Sequence, residues 1–395
     1  MDIASSALGE KNAVYGGGAN LKQGILNVMK KYPAELVGIA TTCLTETIGD
    51  DVPMLLHEFR KEFGDLPLPA LVHVSTPSYS GTHMEGWHAA VKSLVEQLVL
   101  AKAPASKSIN IMPGFVSPAD LRMIKDIVHA FGVALTLLPD ISDTLDGPSL
   151  EEYHALPTGG TPVADIKNMS GALGTIELGD SLGAMKTAGD VLAERFDVPL
   201  VKLSMPVGIR NTDAFMDALS AYSGIPVPAR YRADRGRLVD AMVDGHKYVF
   251  GKKAVVYGEE DFVVAMVSFL AEIGVRPVLV ATGSKSKSFF DAITRVCADV
   301  CPELPVMRTD ADFYEIQEEA GALEPDFLLG HSKGYKFARS ADIPLIRVGF
   351  PLHDRFGGQR ILHIGYSGAL YLFDTIVNTI LERQQTHSAV GYGYL

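Results

Sequence analysis

The chain has 395 residues, 47% of them apolar and 21% charged, an ordinary soluble globular composition with room for two or three domains and their cores. A net charge of −12 argues against a nucleic-acid surface, no apolar run reaches membrane-spanning length, and the N-terminus lacks the basic-then-apolar pattern of a secretory leader. Three cysteines are too few for a disulfide framework, which points to a reducing, cytoplasmic setting.

The chain enters on a polar segment ending near Glu10 and meets a Gly-rich turn at Tyr15-Gly16-Gly17-Gly18. The first predicted strand, 36–42, is short, apolar and β-branched, as a strand buried on both faces should be. It runs into Cys43, after which Gly49, Asp50, Asp51 and Pro53 supply a turn and the start of a helix. A second strand, 70–76, contains His73, read as a satisfied core histidine, and leads to Ser78. From His83 a stripe of Val91, Leu94, Val95 and Leu98, together with the lone Trp87, has helical spacing and reads as core. Further strands are predicted at 108–112, 133–138, 174–178, 198–203, 254–257, 276–281, 304–308, 326–329 and 344–349. A helix should run from Ala369 to about Arg383, with an irregular tail ending Gly391–Leu395.

Strands alternating with helices imply parallel sheets built from βαβ units. Eleven strands exceed the usual sheet of about five or six, so the expected architecture is α/β with three Rossmann-like domains, their parallel sheets flanked by helices. The boundaries expected are 1–105, 106–248 and 249–365, then 366–395 as C-terminal helix and tail. The first falls in the small-residue linker Ala101-Lys102-Ala103-Pro104-Ala105-Ser106, the second after His246-Lys247.

In an open parallel sheet, functional groups collect beyond the carboxyl ends of strands. Cys43 and Ser78 occupy equivalent places after the first two strands, and neighbouring strands about 4.8 Å apart would bring both side chains to one edge. A thiol there can be a packed small hydrophobe, a nucleophile or a metal ligand. Cys and Ser without a His–Asp pair make a poor triad, whereas thiolate is the usual anchor of iron–sulfur clusters. Two such residues cannot hold a cluster alone. Asp240 and Asp244, four apart on a predicted helix, repel slightly unless a divalent cation lies between them; the alternative is a solvated acidic face. Cys297 and Cys301, one helical turn apart, read as helix packing. Neither Gly16-Gly17-Gly18 nor Gly357-Gly358 fits a phosphate-binding fingerprint, so no nucleotide site is expected.

Five segments together resemble the nitrogenase component 1 family, in particular the β subunits of its molybdenum–iron proteins. They are Glu10–Gly17, Thr41-Thr42-Cys43 with Glu46 to Asp51, Thr76-Pro77-Ser78-Tyr79 with Gly81 and His83, Arg235-Gly236-Arg237-Leu238-Val239-Asp240, and Arg347–Pro351 with Asp354-Arg355. The resemblance extends over essentially the whole chain. It implies that Cys43 ligates an 8Fe–7S P-cluster shared with an α subunit and that Ser78 lies beside it and binds iron on oxidation. Asp240 and Asp244 would bind a divalent cation where the two αβ halves meet, and the segment around Tyr15 would dock the ATP-dependent iron protein. The iron–molybdenum cofactor would lie only in the α partner of an α2β2 heterotetramer. Family members carry two further cluster cysteines upstream of the point where this sequence starts, so the resemblance implies an N-terminally truncated sequence.

Three rivals stand beside this expectation. A homologous scaffold subunit for building the iron–molybdenum cofactor shares the fold but would not need both Cys43 and Ser78. Vanadium or iron-only counterparts differ in the partner's metal. A metal-free α/β binding protein would purify without iron.

Overall fold

The computed structural model describes residues 3–156, 158–180, 185–298 and 300–390; the predicted tail Gly391–Leu395 lies outside them. Each apolar run predicted as a strand forms one: β1 (Leu36–Ala40), β2 (Ala70–Val74), β3 (Ser108–Met112), β4 (Ala134–Leu137), β5 (Gly174–Leu178), β6 (Leu200–Leu203), β7 (Lys253–Tyr257), β8 (Arg276–Ala281), β9 (Val306–Arg308), β10 (Phe327–Gly330) and β11 (Leu345–Arg347). Among the described residues they make three parallel sheets, ordered β1-β2, β4-β3-β5-β6 and β11-β10-β7-β8-β9. β5 and β10 are buried at every position, because helices cover both faces of a parallel sheet and leave no solvent side to alternate toward. The class is α/β with parallel sheets flanked by helices.

The chain gathers into two compact units. One comprises Met1–Ser106, Leu138–Ala172 and Lys186–Val198 and contains β1 and β2; the other comprises Lys107–Leu137, Leu173–Met185 and Pro199–Leu395 and contains the two larger sheets. In the first, helices Gly18–Lys31 and Val52–Glu62 press Ile25, Leu56 and Phe59 against Leu71 of β2. Side chains of this size each stabilise by about 1.5–3 kcal/mol on full burial. In the second, helix Glu260–Glu272 is buried from Glu260 through Leu270, as its all-round apolar sequence requires.

Local chemistry sets where helices begin. Asp51 caps helix Val52–Glu62 by accepting from the Met54 amide at 2.9 Å, Pro53 fits the first turn, and Gly49 ends the preceding helix in the left-handed region at φ 83°. Reciprocal capping boxes open helices at Thr82–Glu85, Ser117–Asp120, Thr187–Asp190 and Asp312–Glu315. As expected, His73 is satisfied: its Nδ1 lies 3.0 Å from Gln97 Oε1. The stripe on helix His83–Leu98 buries Val91, Val95 and Leu98.

Two expectations change. The C-terminal helix runs from Gly365 to His387, beyond the predicted Ala369–Arg383 at both ends. Gly365 and Gly368 weaken the helical signal but are required by packing: a Cβ on Gly368 would sit 2.5 Å from the His363 backbone. The two C-terminal cysteines do not share a helix either, since helix Ser288–Cys297 stops at Cys297. Cys301 lies past its end with its amide donating to the Cys297 carbonyl at 2.9 Å. Hydrogen bonding between the thiols pushes Cys297 up and pulls Cys301 down to about 7.

Sequence pattern did not announce one buried ion-pairing node. Asp120, in the capping box of helix Pro118–Ala130, accepts from the amides of His363 (2.7 Å) and Ile364 (3.0 Å) and lies 2.9 Å from His363 Nδ1. The Gly349 amide donates to His363 Nε2 at 3.2 Å, which places the ring proton on Nδ1, facing the carboxylate. Burial alone would raise the Asp120 pKa; the His363 ring and the two amides more than offset it, so the carboxyl lies below its ordinary value.

Candidate metal centre

β1 and β2 pair in parallel from Leu36↔Ala70 to Ala40↔Val74, so both strands end level and their following loops leave from one edge. The pairing continues one step, with the Thr41 amide donating to the Val74 carbonyl at 3.0 Å. Thr76 then ties the loops together, its hydroxyl donating to the Thr41 carbonyl at 2.9 Å. Glu46 is the second clasp: its carboxylate accepts from Ser75 Oγ at 2.5 Å and from the Thr41 hydroxyl. Those two hydrogen bonds, that from Ser75 first, hold Glu46 below the usual carboxylate pKa and therefore ionised.

Held this way, Cys43 and Ser78 meet. Sγ lies 2.8 Å from Ser78 Oγ and accepts from the Ser78 amide at 3.1 Å. The hydroxyl bond and then the amide bond lower the thiol pKa, because both stabilise the thiolate; Tyr79 contributes another amide. Cys43 opens helix Cys43–Ile48 behind the cap Thr42 and is half-buried. Its neighbours Leu44 and Tyr79 are 51% and 66% exposed, an apolar rim with no covering element in this chain.

One polarised thiolate next to a hydroxyl suits iron, soft sulfur and harder oxygen being compatible donors. They are too few to complete a shell: among the described residues no three His, Cys, Asp or Glu side chains are grouped to hold a metal ion. The edge therefore fits half of a site shared with another chain. Glu46 lies within the recognised motif, but its clasping of Ser75 depends on strand pairing and could not be read from spacing.

Tyr15 closes the short helix Asn12–Tyr15 and is 86% exposed, beside Val14 at 76%. The Asp50 carboxylate fastens this turn to the loop after helix Cys43–Ile48 by accepting from the Gly17 amide at 2.9 and 3.1 Å. Asp240 and Asp244 lie in the other unit, both exposed on helix Ala229–Val249 without an intrachain salt bridge. The fold thus joins Cys43 to Ser78 and puts the aspartates on one helix.

Comparison with known proteins places this geometry in context. The family model for nitrogenase component 1 type oxidoreductases matches residues 1–381. The nitrogenase molybdenum-iron protein beta chain of Clostridium pasteurianum is 35% identical over 381 residues, covering 96% of this chain and 82% of that protein. The nitrogenase vanadium-iron protein beta chain of Trichormus variabilis is 34% identical, covering 96% of this chain and 83% of that one. A solved structure of nitrogenase Cp1 at pH 6.5 superposes with a TM-score of 0.94 at 33% identity, covering 99% of this chain and 85% of its counterpart.

Proposed function

The chain belongs to the nitrogenase component 1 family of oxidoreductases, and we propose that it serves there as the β subunit of a molybdenum–iron dinitrogenase, an electron-relay subunit in a cytoplasmic α2β2 complex. The observation that carries this reading is the 2.8 Å contact of Cys43 Sγ with Ser78 Oγ at an open sheet edge. Bound there, an 8Fe–7S P-cluster shared with the α subunit would supply reversible electron storage between the ATP-dependent iron protein and the α subunit's iron–molybdenum cofactor. Cys43 provides a thiolate anchor, and the Ser78 and Tyr79 amides help hold negative charge on its sulfur. Ser78 holds a proton on Oγ; giving it up makes an alkoxide, a harder ligand suited to a more oxidised iron. Leu44 and Tyr79 would exclude water once the partner covers them, and the exposed Tyr15 turn would meet the iron protein. Molybdenum- and vanadium-type relatives match almost equally, so the heterometal is assigned through the α partner.

Co-expression with an α partner tests the reading. The complex should contain iron in the P-cluster, reduce acetylene only with the iron protein and ATP, and give a redox-dependent cluster signal by electron paramagnetic resonance. A folded complex that contains no iron at the αβ contact would overturn it in favour of a metal-free binding protein.

The exposed carboxylates of Asp240 and Asp244 would bind a divalent cation between two β subunits, whose remaining oxygens would complete a shell of six to eight. Asp240→Asn with Asp244→Asn should remove tightly held calcium from the complex in equilibrium dialysis. Unchanged calcium content in the double variant would exclude the site.

A further inference from the structure

In the sheet ordered β11-β10-β7-β8-β9, the chain leaves β7 toward β8 on one side while β10 lies on the other. The crevice beyond the carboxyl ends of β7 and β10 is therefore a topological switch point, where open α/β sheets receive ligands. A cavity of ≈ 170 Å³ lies there, between the loops after β7, β10 and β11. Gly258 (φ 154°) and Gly349 (φ 88°) turn two of these loops in conformations that a side chain would strain. Ser332 Oγ steadies the third wall by accepting from the amides of His353 (3.0 Å) and Asp354 (3.3 Å).

The lining has two characters. Tyr257, Phe262 and Phe350 present rings, and the Tyr257 hydroxyl is already committed to the His331 carbonyl at 2.9 Å, so this side is apolar. Facing it are groups that donate. His331 Nδ1 accepts from the Lys333 amide at 3.4 Å, so the neutral ring carries its proton on Nε2; burial, the main influence, keeps the imidazole from charging. The Lys333 ammonium and the His353 ring pair with no carboxylate among the described residues. One acid, Glu259, lines the cavity, and it is already engaged within the chain. Rings on one side and unspent donors on the other select a planar apolar body that carries an acceptor charge.

We propose that this cavity binds a small aromatic carboxylate, its ring against Phe262 and Phe350 and its carboxylate on Lys333 and His331. Nothing in the proposed electron relay uses this site, and the proposal does not rest on it.

The test is equilibrium dialysis of the assembled complex against radiolabelled benzoate, with benzyl alcohol, benzylamine and inorganic phosphate as competitors. One saturable benzoate site per chain is expected, displaced by none of the three at equal concentration. Lys333→Met should weaken it roughly tenfold to a hundredfold, the cost of losing a charge-assisted hydrogen bond. Lys333→Arg should largely preserve it, and Phe350→Ala should weaken it while leaving complex assembly intact. Lys333 is exposed, so its replacement should not disturb folding. Benzoate binding unaffected by Lys333→Met, absence of saturable binding, equal competition by benzylamine, or displacement by phosphate alone would each overturn the proposal. The last would mark a plain oxyanion site.

Discussion

Replacing Cys43 by Ala in the assembled protein should abolish dinitrogen reduction and lower the iron content of the complex. Thiolate is the anchoring ligand of iron–sulfur clusters, and Cys43 is the thiol that the first sheet delivers to its loop edge. Removing a partner that merely orients a ligand typically costs roughly 10–100-fold in metal affinity or activity, so loss of the ligand itself should cost at least about that much. The neighbours should rank below it. Ser78→Ala keeps the thiolate and the backbone amide bond at 3.1 Å, so iron should stay near normal while activity falls. It also removes the largest influence depressing the thiol pKa, so in cluster-free protein the alkylation rate of Cys43 should need higher pH. Glu46→Ala unclasps Ser75 from Thr41 and should act through geometry, with a loss of roughly 10–100-fold. Acetylene reduction with iron counts on the three variants decides the matter. Full activity and normal iron in Cys43→Ala would end the electron-relay assignment.

Much of this arrangement was legible because parallel strands buried on both faces must be nearly continuous apolar runs, and such runs fix both the elements and their ends. The ends matter most: once β1 and β2 are known to stop before Thr41 and Ser75, level pairing brings Cys43 and Ser78 together without further information. Turn chemistry helped in the same way, since Gly49, Asp51 and Pro53 each have a conformation or a hydrogen bond that only a helix boundary uses. What escaped depends on partners far away in sequence. Asp120 and His363 are 243 residues apart, and the local pattern shows only a capping box. The cavity is assembled from loops after three strands, and no single loop has a binding signature. The glycines of helix Gly365–His387 lower its local propensity while serving close packing, a conflict that tertiary structure resolves.

The Asp120 node should dominate stability in the second unit. The carboxylate is 1% exposed and accepts from two backbone amides of the 363–364 segment and from the His363 ring, with the Ser117 amide at 3.2 Å. Asp120→Ala leaves those donors buried without an acceptor, and breaking a buried pair from one side costs about 3–5 kcal/mol. The assembled protein should then melt roughly 5–10 °C lower, with faster amide exchange at His363 and Ile364. Asp120→Asn retains an acceptor oxygen and should lose distinctly less. The pH dependence has a definite sign. The folded pKa lies below the unfolded value of about 3.9, so the ionised group's contribution is complete above that value and fades as pH falls through the lower, folded one. Wild type should therefore approach Asp120→Asn in stability only under strongly acidic conditions. Retention of wild-type melting by Asp120→Ala at neutral pH would show that the amides of His363 and Ile364 find other acceptors, and that the node is not what holds this segment to helix Pro118–Ala130.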